Sequence, residues 1–425
     1  MHPKPRTSHS TRRAMSRAWW ERPLPGADAF AGLCADVGDV VRCGPSGDEA
    51  GGGRGLFATA AVAKGETIFR ESPAVLVQDP RNRAETRACG CCHAMLAEES
   101  PSVAQPSCAW GCGERYCDET CKEKHVRRLG HRVFCVGPLD SWDHPIAALR
   151  LEAARDDDQD GLLAFVQEMA ARLLHETNAE MERRGTDERT ADDKEDEDAV
   201  VAAAVEKASL AWFVKGGESK TSPLAPSSPR CLTMASLVAN ASKAAIDDRE
   251  NDRFITHVTC GNQNRLSSTT DGDATEDTKN KRRRRLRAAA ALLFDARGVS
   301  ALATLATRNQ LSVVVVRSDL FKTQKTKTYD GLGVFPLTCL MNHSCAPNAE
   351  TLFDDGFDDD AARVSSTAEA SAPRARVVAL RDVAAGEELT HAYVDVTRPA
   401  EVRAAALAGF GFKCGCERCA RARGG

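Results

Sequence analysis

A block of closely spaced cysteines at residues 89–135 sets strong limits on how this chain can fold. Eight of its cysteines and histidines fall in four closely spaced pairs: Cys89 and Cys92, Cys108 and Cys112, Cys117 and Cys121, and His131 and Cys135. Because short spacings let two side chains reach one ion, eight ligands predict two closed tetrahedral zinc sites, one of four cysteines and one of three cysteines with a histidine. The alternative, that these cysteines are small buried apolar residues, needs more core than so short a segment offers. Such a module folds together with its metal, so the predicted zinc is structural.

Not every cysteine and histidine of the block belongs to one of these pairs. Cys91 and His125 are not assigned as ligands, although the long gap between Cys121 and His131 makes His125 the closer alternative. The chain has 17 cysteines among 425 residues and no hydrophobic segment typical of a secretory signal. We therefore expect a reducing compartment, where clustered cysteines are metal ligands rather than disulfides.

A second group of cysteines lies near the C-terminal end, in the stretch FKCGCERC. Cys414, Cys416 and Cys419 can occupy three corners of a tetrahedron but lack a fourth ligand nearby. Cys345, in the stretch MNHSCAPN, is the best candidate for that ligand, which predicts a third zinc. The alternative is that the three cysteines bind metal alone or with Cys339. With Cys345 as the ligand, the ion would hold the C-terminal tail against the Asn-His-Ser-Cys segment.

The charge of the chain argues against a general attraction to nucleic acid or to acidic membranes. Lys and Arg number 57 and Asp and Glu number 61, which gives a net charge of -4, so any contact with nucleic acid must be local. No apolar run approaches the roughly 20 residues of a membrane helix, since the alanine-rich stretch at residues 288–305 is interrupted by charged residues and a glycine. We expect no membrane partner.

Two basic segments bear on localisation. Residues 1–20 hold Lys and Arg with Ser and Thr and no acid, which fits an organelle transit peptide and equally a disordered basic tail or an over-extended gene model. Residues 279–287, KNKRRRRLR, fit a nuclear address or a local phosphate contact, or else a solvated charge run that opens an alanine-rich helix. The expected compartments are the nucleus and the cytoplasm, with organelle import as the alternative.

The remaining chain mixes strand-like, helical and low-complexity segments. GRGLFATAAVAKGETIF (residues 53–69) and RVVALRDVAAGEELTHAY (residues 376–393) echo each other, and we interpret them as hairpins of one split β fold. Helical spacing follows the cysteine block in HPIAALRLEAARD and GLLAFVQEMAARLLHETNAEMERR. Three polar stretches cannot bury enough apolar surface to stay ordered and are interpreted as loops inserted into the helical region: residues 186–199, 219–230 and 267–287.

Taken in chain order, GRGLFAT, the cysteine block, GLGVFPLTCLMNHSCAPN, GEELTHAYVDV and FKCGCERC resemble the SET and MYND domain family of protein lysine methyltransferases. The resemblance implies an α+β fold, in which a SET-domain β fold is split by a MYND zinc finger and a helical insert and is closed by a post-SET zinc cluster. A short form of the family, without a C-terminal helical domain, is expected. The expected divisions are a basic, disordered N-terminal region (1–50), the two SET parts (51–88 and 331–398), the finger (89–135), the helical insert (136–330) and the post-SET tail (399–425).

The resemblance also implies how the finger ligands are shared. In that family the first and third ligand pairs hold one ion, and the second and fourth pairs hold the other. One zinc is therefore expected on Cys89, Cys92, Cys117 and Cys121. The other is expected on Cys108, Cys112, His131 and Cys135.

A site for S-adenosylmethionine follows from the same resemblance. Its contacts fall on Arg54 in the Gly-Arg-Gly turn, on Asn342 and His343, and on Phe412, the aromatic residue two places before the first post-SET cysteine. An Asn amide and exposed backbone groups suit the polar ends of the cofactor, and an aromatic face suits adenine.

Two aromatic residues are expected at the reacting centre. Tyr393 matches the active-site tyrosine of the family and is also counted among the cofactor contacts; its phenol stays protonated near neutral pH. The family often has a second tyrosine four places before the first post-SET cysteine, where this chain has Phe410. The lost hydroxyl leaves open how many methyl groups the enzyme adds.

The function implied is that of an S-adenosylmethionine-dependent protein-lysine N-methyltransferase acting on a histone or another protein. The alternative is a SET and MYND scaffold of weak or no activity that binds protein partners through its finger. The expected cofactors are S-adenosylmethionine and three structural zinc ions. The expected partners are a protein with a target lysine and a peptide that binds the finger, and the chain is expected to be a monomer.

Overall fold

The structure is a computed structural model that describes residues 27–47, 53–96, 105–137, 139, 141–155, 161–187, 224–248, 253–254, 276–318, 326–354 and 372–424. Its strands are β1 (Val41–Pro45), β2 (Arg54–Ala58), β3 (Thr67–Glu71), β4 (Val75–Gln78), β5 (Gln310–Ser318), β6 (Thr326–Val334), β7 (Asn342–His343), β8 (Ala349–Asp354), β9 (Arg374–Ala379) and β10 (Glu388–His391). Its α-helices are α1 (Ala31–Asp36), α2 (Asn82–Glu85), α3 (Glu119–Arg127), α4 (Pro145–Arg155), α5 (Leu162–Asp187), α6 (Pro229–Asp247), α7 (Glu276–Leu293), α8 (Ala296–Asn309), α9 (Ala400–Ala408) and α10 (Glu417–Gly424). Short 3-10 helices lie at Ala27–Phe30 and Thr338–Leu340.

The strands form three small sheets, with the strand orders β1-β2-β10-β7, β3-β9-β8 and β4-β6-β5. Neighbouring strands pair antiparallel except β10 and β7, which are parallel. Apolar side chains from the first two sheets meet in one core, which includes Leu56, Phe69, Val377 and Leu389. The predicted α+β fold class is confirmed by these sheets together with the helices.

The two echoing segments pair with each other and do not fold back as separate hairpins, so the hairpin interpretation is wrong. β2 pairs with β10 and β3 with β9, and Val62 and Val383 exchange two backbone hydrogen bonds of 2.9 Å between them. Each segment turns at a glycine with positive φ, Gly65 at 85° and Gly386 at 82°. In each turn, the glutamate after the glycine accepts a hydrogen bond from the backbone N–H three residues before it. The local pattern identified the strands, but it carries no information about their partners.

The N-terminal division at residue 50 also differs from the structure. Within the region expected to be disordered, residues 27–47 form a 3-10 turn, α1 and β1, and β1 pairs with β2 along its whole length. Phe30 and Val41 are buried in the core between the first two sheets. Burial of these apolar side chains offsets the entropy of ordering the segment. The basic residues 1–20 lie outside the described residues.

The helical insert packs as a layer against the third sheet. Buried faces of α4, α5, α6, α7 and α8 form the largest apolar cluster, and Val75 of β4 and Val334 of β6 join it. The insert also contains strands that the sequence interpretation missed, since β5 and most of β6 precede residue 331. The run QLSVVVVRS of β5 carries four consecutive valines, a β-branched signal for a strand that the helical interpretation passed over.

The basic run lies on a helix rather than in a loop, which corrects the interpretation of residues 276–287. It forms the first turns of α7, and three of its arginines make ion pairs within the chain: Arg282 with Glu182, Arg283 with Glu276 and Arg287 with Asp247. The structure therefore agrees with the last of the three interpretations of residues 279–287, in which a charged run forms the start of an alanine-rich helix. Residues 267–275 and 188–199 and most of 219–230 lie outside the described residues.

Among the described helices, no single one is long and apolar enough to cross a membrane. One pair, Thr278–Leu293 with Ala296–Asn309, reaches the required length and composition only when taken together, across a bend of 63°.

Candidate metal centres and active site

The finger brings its eight predicted ligands into two groups of four. Within each group every ligand atom lies within 4.8 Å of the others. Zinc bound to sulfur at about 2.3 Å in a tetrahedron places two sulfurs about 3.8 Å apart. The Sγ atoms of Cys92 and Cys117 are 3.4 Å apart and those of Cys108 and Cys135 are 3.8 Å apart, so the donor sets fit zinc. The groups are Cys89, Cys92, Cys117, Cys121 and Cys108, Cys112, His131, Cys135.

Local contacts explain why these side chains converge and why two neighbours stay out. Asp118 caps helix α3 by accepting a 2.7 Å hydrogen bond from the N–H of Cys121, which fixes that ligand at the first turn. Cys91 contributes its backbone N–H to the sulfur of Cys89, at 3.4 Å, and its own side chain is not in the group. The Nδ1 atom of His125 lies 3.2 Å from the Tyr116 hydroxyl, which accounts for its burial without a metal.

A buried carboxylate joins the finger to the rest of the protein. Glu114 accepts a 2.8 Å hydrogen bond from Arg83 of α2, and the guanidinium of Arg150 in α4 lies 3.6 Å from the same oxygen. Burial alone would raise the pKa of Glu114, but the two guanidinium groups hold that pKa well below its usual range. The single carboxylate of Glu114 thus links the finger to α2 of the SET part and to α4 of the helical insert.

The third group of ligands, which we call the tail group or tail cluster, combines three cysteines of the C-terminal tail with Cys345. Cys345, Cys414, Cys416 and Cys419 bring their sulfur atoms within 4.8 Å of one another, and Cys345 and Cys419 are 3.5 Å apart. The competing partner, Cys339, is engaged elsewhere, since its Sγ donates to the carbonyl of Asn309 at 3.2 Å. The geometry therefore favours Cys345 over Cys339, while the binding of zinc by any of the three groups stays a prediction.

His343 lies at the junction between the tail group and the predicted active site. Its Nε2 atom is 3.2 Å from the sulfur of Cys345, and its Nδ1 atom accepts a 3.0 Å hydrogen bond from the backbone N–H of Tyr393. Burial, aided by the charge of Arg403, lowers the pKa of His343 to about 4, so the ring is neutral at physiological pH. Both ring nitrogens are occupied by protein groups. Any contact of His343 with a cofactor must therefore come from its backbone.

Asn342 is held in a similar way. Its Nδ2 group donates to the carbonyl of Arg54 at 3.0 Å and to the carboxylate of Glu388 at 2.7 Å, so β7, β2 and β10 are joined at one side chain. The amide hydrogens are thereby used, and a cofactor contact from Asn342 has to come from Oδ1 or the backbone. The structure thus brings Arg54 next to Asn342, as the sequence interpretation requires. The guanidinium of Arg54 lies 4.7 Å from the ring of Phe30.

Four rings lie together beside this junction. Tyr393 is 5.1 Å from Phe410, 6.2 Å from Phe412 and 5.4 Å from His343, measured between ring centroids. The Tyr393 hydroxyl donates to the carbonyl of Met341 at 2.8 Å, and burial raises the pKa of the phenol above its usual value. Since its hydrogen is committed, the hydroxyl oxygen presents its lone pairs as acceptors. Aromatic faces also suit a positively charged ligand such as a sulfonium or an ammonium group.

Three residues that support the site were not singled out in the sequence. Asn348 is buried and ties β8 to β10, donating to the carbonyl of Glu388 at 2.8 Å and accepting from the N–H of Thr390 at 2.8 Å. It lies within the quoted stretch MNHSCAPN, so its polar side chain beside a strand was a usable signal. Glu71 and Arg403 offered no such signal, because their partners are distant in sequence.

Comparison with known proteins supports the same family. The SET domain family model matches residues 53–394. Histone-lysine N-methyltransferase ATXR2 of Arabidopsis thaliana is 38% identical over 89 residues, which is 21% of this chain and 16% of that protein. Histone-lysine N-methyltransferase SMYD3 of Homo sapiens is 33% identical over 90 residues, 21% of this chain and 17% of that protein. The SET domain and MYND-type zinc finger protein 6 of Schizosaccharomyces pombe is 29% identical over 97 residues, 22% of this chain and 17% of that protein.

The matched segments thus span less than a fifth of the length of each of these three relatives. The family model, by contrast, covers most of the chain and extends on both sides of the finger. The two ligand groups of the finger lie inside that match, between β4 and α4. The chain therefore belongs to the SET domain family, and its finger assigns it to the SET and MYND group.

Proposed function

We propose that this protein is an S-adenosylmethionine-dependent protein-lysine N-methyltransferase. The observation that carries the proposal is the junction at Tyr393, where the Asn-His pair of β7, the aromatic residues of the tail and the third group of cysteines meet. Relatives such as SMYD3 and ATXR2 are named histone-lysine N-methyltransferases, and this supports a lysine side chain as the acceptor. A histone is therefore the first substrate to test.

The bound cofactor would supply a methyl group on a positively charged sulfur. The work of the protein is then to place a neutral lysine amine in line with that methyl group and to exclude water. The hydroxyl oxygen of Tyr393 can accept a hydrogen bond from the amine, because its own hydrogen is held by Met341. The rings of Phe410 and Phe412 provide apolar walls that keep solvent from the reacting atoms.

The residues present fit both groups that the proposal requires. Each of the three cysteine groups has four ligands, so each zinc would be closed and structural, with no open position for catalysis. For S-adenosylmethionine, Arg54, the backbone and Oδ1 of Asn342, the backbone of His343 and the ring of Phe412 are the proposed contacts. Tyr393 is proposed both as a contact of the methyl group and as the residue that orients the lysine.

The test is a calorimetric titration of the purified, zinc-loaded protein with S-adenosylmethionine, followed by mass spectrometry of core histones incubated with both. We expect saturable binding with one site per chain and a mass increase of 14 Da or a multiple on lysine, the mass of each added methyl group. Histones that stay unmodified would require a screen of other proteins as substrates. Absence of saturable cofactor binding would overturn the enzyme proposal.

The scaffold is the second candidate, and one observation favours it. Phe410 lacks the hydroxyl that a second tyrosine would bring to the lysine channel. If the protein is a scaffold, the finger would bind a peptide partner, and the SET fold would bind the cofactor weakly or not at all. The same titration separates the two candidates. We further propose a monomer located in the nucleus or cytoplasm, which size-exclusion chromatography and imaging of a tagged chain would test.

A further inference from the structure

Two cationic or polar donors converge on one sulfur of the tail group. The Nε atom of Arg403 in α9 lies 3.3 Å from the sulfur of Cys345, and Nε2 of His343 lies 3.2 Å from the same sulfur. A second guanidinium nitrogen, Nη2, reaches the sulfur of Cys419 at 3.7 Å. The third, Nη1, donates to the carbonyl of Arg398 at 2.6 Å. The head group of Arg403 is thus fixed by one carbonyl and two predicted zinc ligands.

The direction of these hydrogen bonds follows from their chemistry. A zinc-bound cysteine has lost its hydrogen and can only accept, so Arg403 and His343 must both donate to Cys345. A neutral imidazole carries hydrogen on one nitrogen, and Nδ1 of His343 is committed to accepting from Tyr393. The donor to sulfur is therefore Nε2, and a continuous set of hydrogen bonds joins Arg403, Cys345, His343 and the backbone of Tyr393.

The charge of the tail group explains why a buried arginine lies there. Four thiolates around one Zn²⁺ carry a net charge of about -2, which is costly to bury without a compensating cation. Arg403 is only 4% exposed and Cys345 only 1% exposed, so solvent screens the pair weakly. Two other arginines of the tail reach carbonyl oxygens instead: Arg418 contacts Cys345 and Arg423 contacts Cys414. Within the described residues, Arg403 is the cation that donates to the sulfurs themselves.

We propose that Arg403 is a positioning residue of the methyl-transfer site. It stabilises the anionic tail cluster by donating to two of its sulfurs, and through Cys345 and His343 it holds the backbone that carries Tyr393. The second half of this inference rests on the proposed methyltransferase function, whereas the first half does not. Outer hydrogen-bond partners of metal ligands commonly contribute tenfold to a hundredfold in metal affinity or activity.

The first experiment measures zinc release to a chromogenic chelator from the full-length protein. The Cys416→Ser variant identifies which phase of release belongs to the tail cluster, because it removes one ligand of that site only. In Arg403→Met, which keeps the length of the side chain and removes its charge and donors, we expect that phase to become at least about tenfold faster. The two finger phases should not change.

Two further variants make this measurement decisive. Arg421→Met is the matched control, since Arg421 lies on the same tail, is 83% exposed and pairs with Glu417. Its release should match the parent protein. Arg403→Lys keeps the charge, but its ammonium group lacks the planar arrangement of donors that lets a guanidinium reach two sulfurs and a carbonyl. Its rate of tail-zinc release should therefore lie between those of the parent protein and Arg403→Met. If Arg403→Met does not fold, Arg403→Lys still shows whether the rate of zinc release from the tail cluster depends on the donors of Arg403.

The second experiment tests the connection to Tyr393 by kinetics with excess zinc. Arg403→Met and His343→Gln should each lower kcat by about tenfold, and the double variant should be little worse than either, because both interrupt the same set of hydrogen bonds. Losses that multiply in the double variant would overturn the connection. Release of the tail zinc at the parental rate in Arg403→Met and Arg403→Lys would overturn the stabilisation. Zinc release is readable even in a protein that transfers no methyl group, so this outcome is independent of the proposed function.

Discussion

Two interactions hold the side chain and the backbone of Tyr393 in the proposed methyl-transfer site. Its hydroxyl hydrogen is held by the carbonyl of Met341, and its backbone is held by His343. The oxygen is therefore fixed in position with its lone pairs free for the incoming amine. In the proposed reaction, removal of this hydroxyl would change the rate of transfer, while the ring that contacts the cofactor would remain.

Tyr393→Phe should accordingly lower kcat by about 100-fold, while the dissociation constant of S-adenosylmethionine changes by less than about threefold. Stopped assays of methyl transfer and calorimetric titration measure the two quantities. Tyr329→Phe is the matched control, since that hydroxyl is buried 3.1 Å from Nδ1 of His93 and is not part of the proposed site. Equal loss of activity in both variants would indicate a general loss of stability instead of a role in transfer.

Phe410 is expected to govern a different quantity of the proposed reaction, the number of methyl groups added. Its ring centroid is 5.1 Å from that of Tyr393, and it has no hydroxyl to bind the amine or to hold a water beside it. We expect the parent protein to form dimethyl- or trimethyl-lysine and Phe410→Tyr to shift the product toward monomethyl-lysine, since the added hydroxyl takes up the space of a further methyl.

Mass spectrometry of the methylated substrate measures that distribution. Phe353→Tyr makes the same chemical change on β8, beside Phe335, and should leave the product unchanged. Monomethyl-lysine as the sole product of the parent protein, with the same distribution from Phe410→Tyr, would contradict the hypothesis.

At the scale of elements, one buried carboxylate holds the segment that leads into the Asn-His pair. Glu71, at the end of β3, accepts hydrogen bonds from the N–H groups of Leu337 at 2.6 Å and Thr338 at 3.0 Å. The hydroxyl of Thr338 adds a third bond. Burial raises the pKa of Glu71 to about 7 even though these three donors favour its charged form. The start of the 3-10 turn is therefore attached to the sheet through a group that titrates near neutral pH.

The carboxyl group of Glu71 holds its proton more tightly in the folded protein than in the unfolded chain, where its pKa is near the usual value. Folding is therefore favoured by the protonated form of Glu71, and stability falls as the pH rises. The contribution of Glu71 to stability is greatest below about pH 4.5 and is lost as the pH rises through about 7. Between pH 5.5 and 8.5 the parent protein should lose about 2 kcal/mol of unfolding free energy relative to Glu71→Gln, which does not titrate. Urea unfolding of both proteins at each pH gives the difference and cancels the titration of all other groups. A difference that stays constant across this range would contradict the pKa assigned to Glu71.

The cysteine ligands could be predicted from the sequence, whereas the pairing of distant strands could not. Ligand spacing within residues 89–135 and 414–419 was sufficient to identify the four ligand pairs and the terminal triplet, because short spacings fix which side chains can meet. Which pairs share one ion came from the resemblance to the SET and MYND family. The pairing of β2 with β10 was not predictable in this way, since each strand pattern is local and its partner lies beyond the finger and the insert. For the same reason, Glu71 and Arg403 were missed: each is an ordinary charged residue until the fold places its partners beside it.

At the scale of the whole molecule, the finger, the insert and the SET sheets are joined by buried charged side chains. Arg253 is 1% exposed and donates to the carbonyl of Cys135 at 2.7 Å, which attaches the end of the finger to the insert. Its carboxylate partner is Asp248, at 2.8 Å, just after helix α6. The finger is thus part of the same folded body as the SET sheets, and loss of its zinc should weaken more than the finger itself.

Metal analysis of the pure protein should return close to three zinc equivalents. Cys345→Ala should lose about one of them and should also lose cofactor binding, because the tail would no longer hold Phe412 beside His343. Cys339→Ala is the matched control: its sulfur contacts a carbonyl instead of the cluster, so all three equivalents should remain. Two equivalents in the parent protein, or loss of zinc in Cys339→Ala, would remove the proposed attachment of the tail.

The pairing of β2 with β10 also has a consequence for folding during synthesis on the ribosome. Ser46, beside β1, donates to Glu388 of β10, and 342 residues separate the two. At a synthesis rate of roughly 5–20 residues per second, the N-terminal strands wait on the order of 20 to 70 seconds before their partner emerges. During that interval the edge of β2 is unpaired and its apolar face is uncovered. Nascent chains should therefore engage chaperones until β10 has been synthesised. The finger, whose ligands all lie before residue 136, should take up zinc before the active site exists.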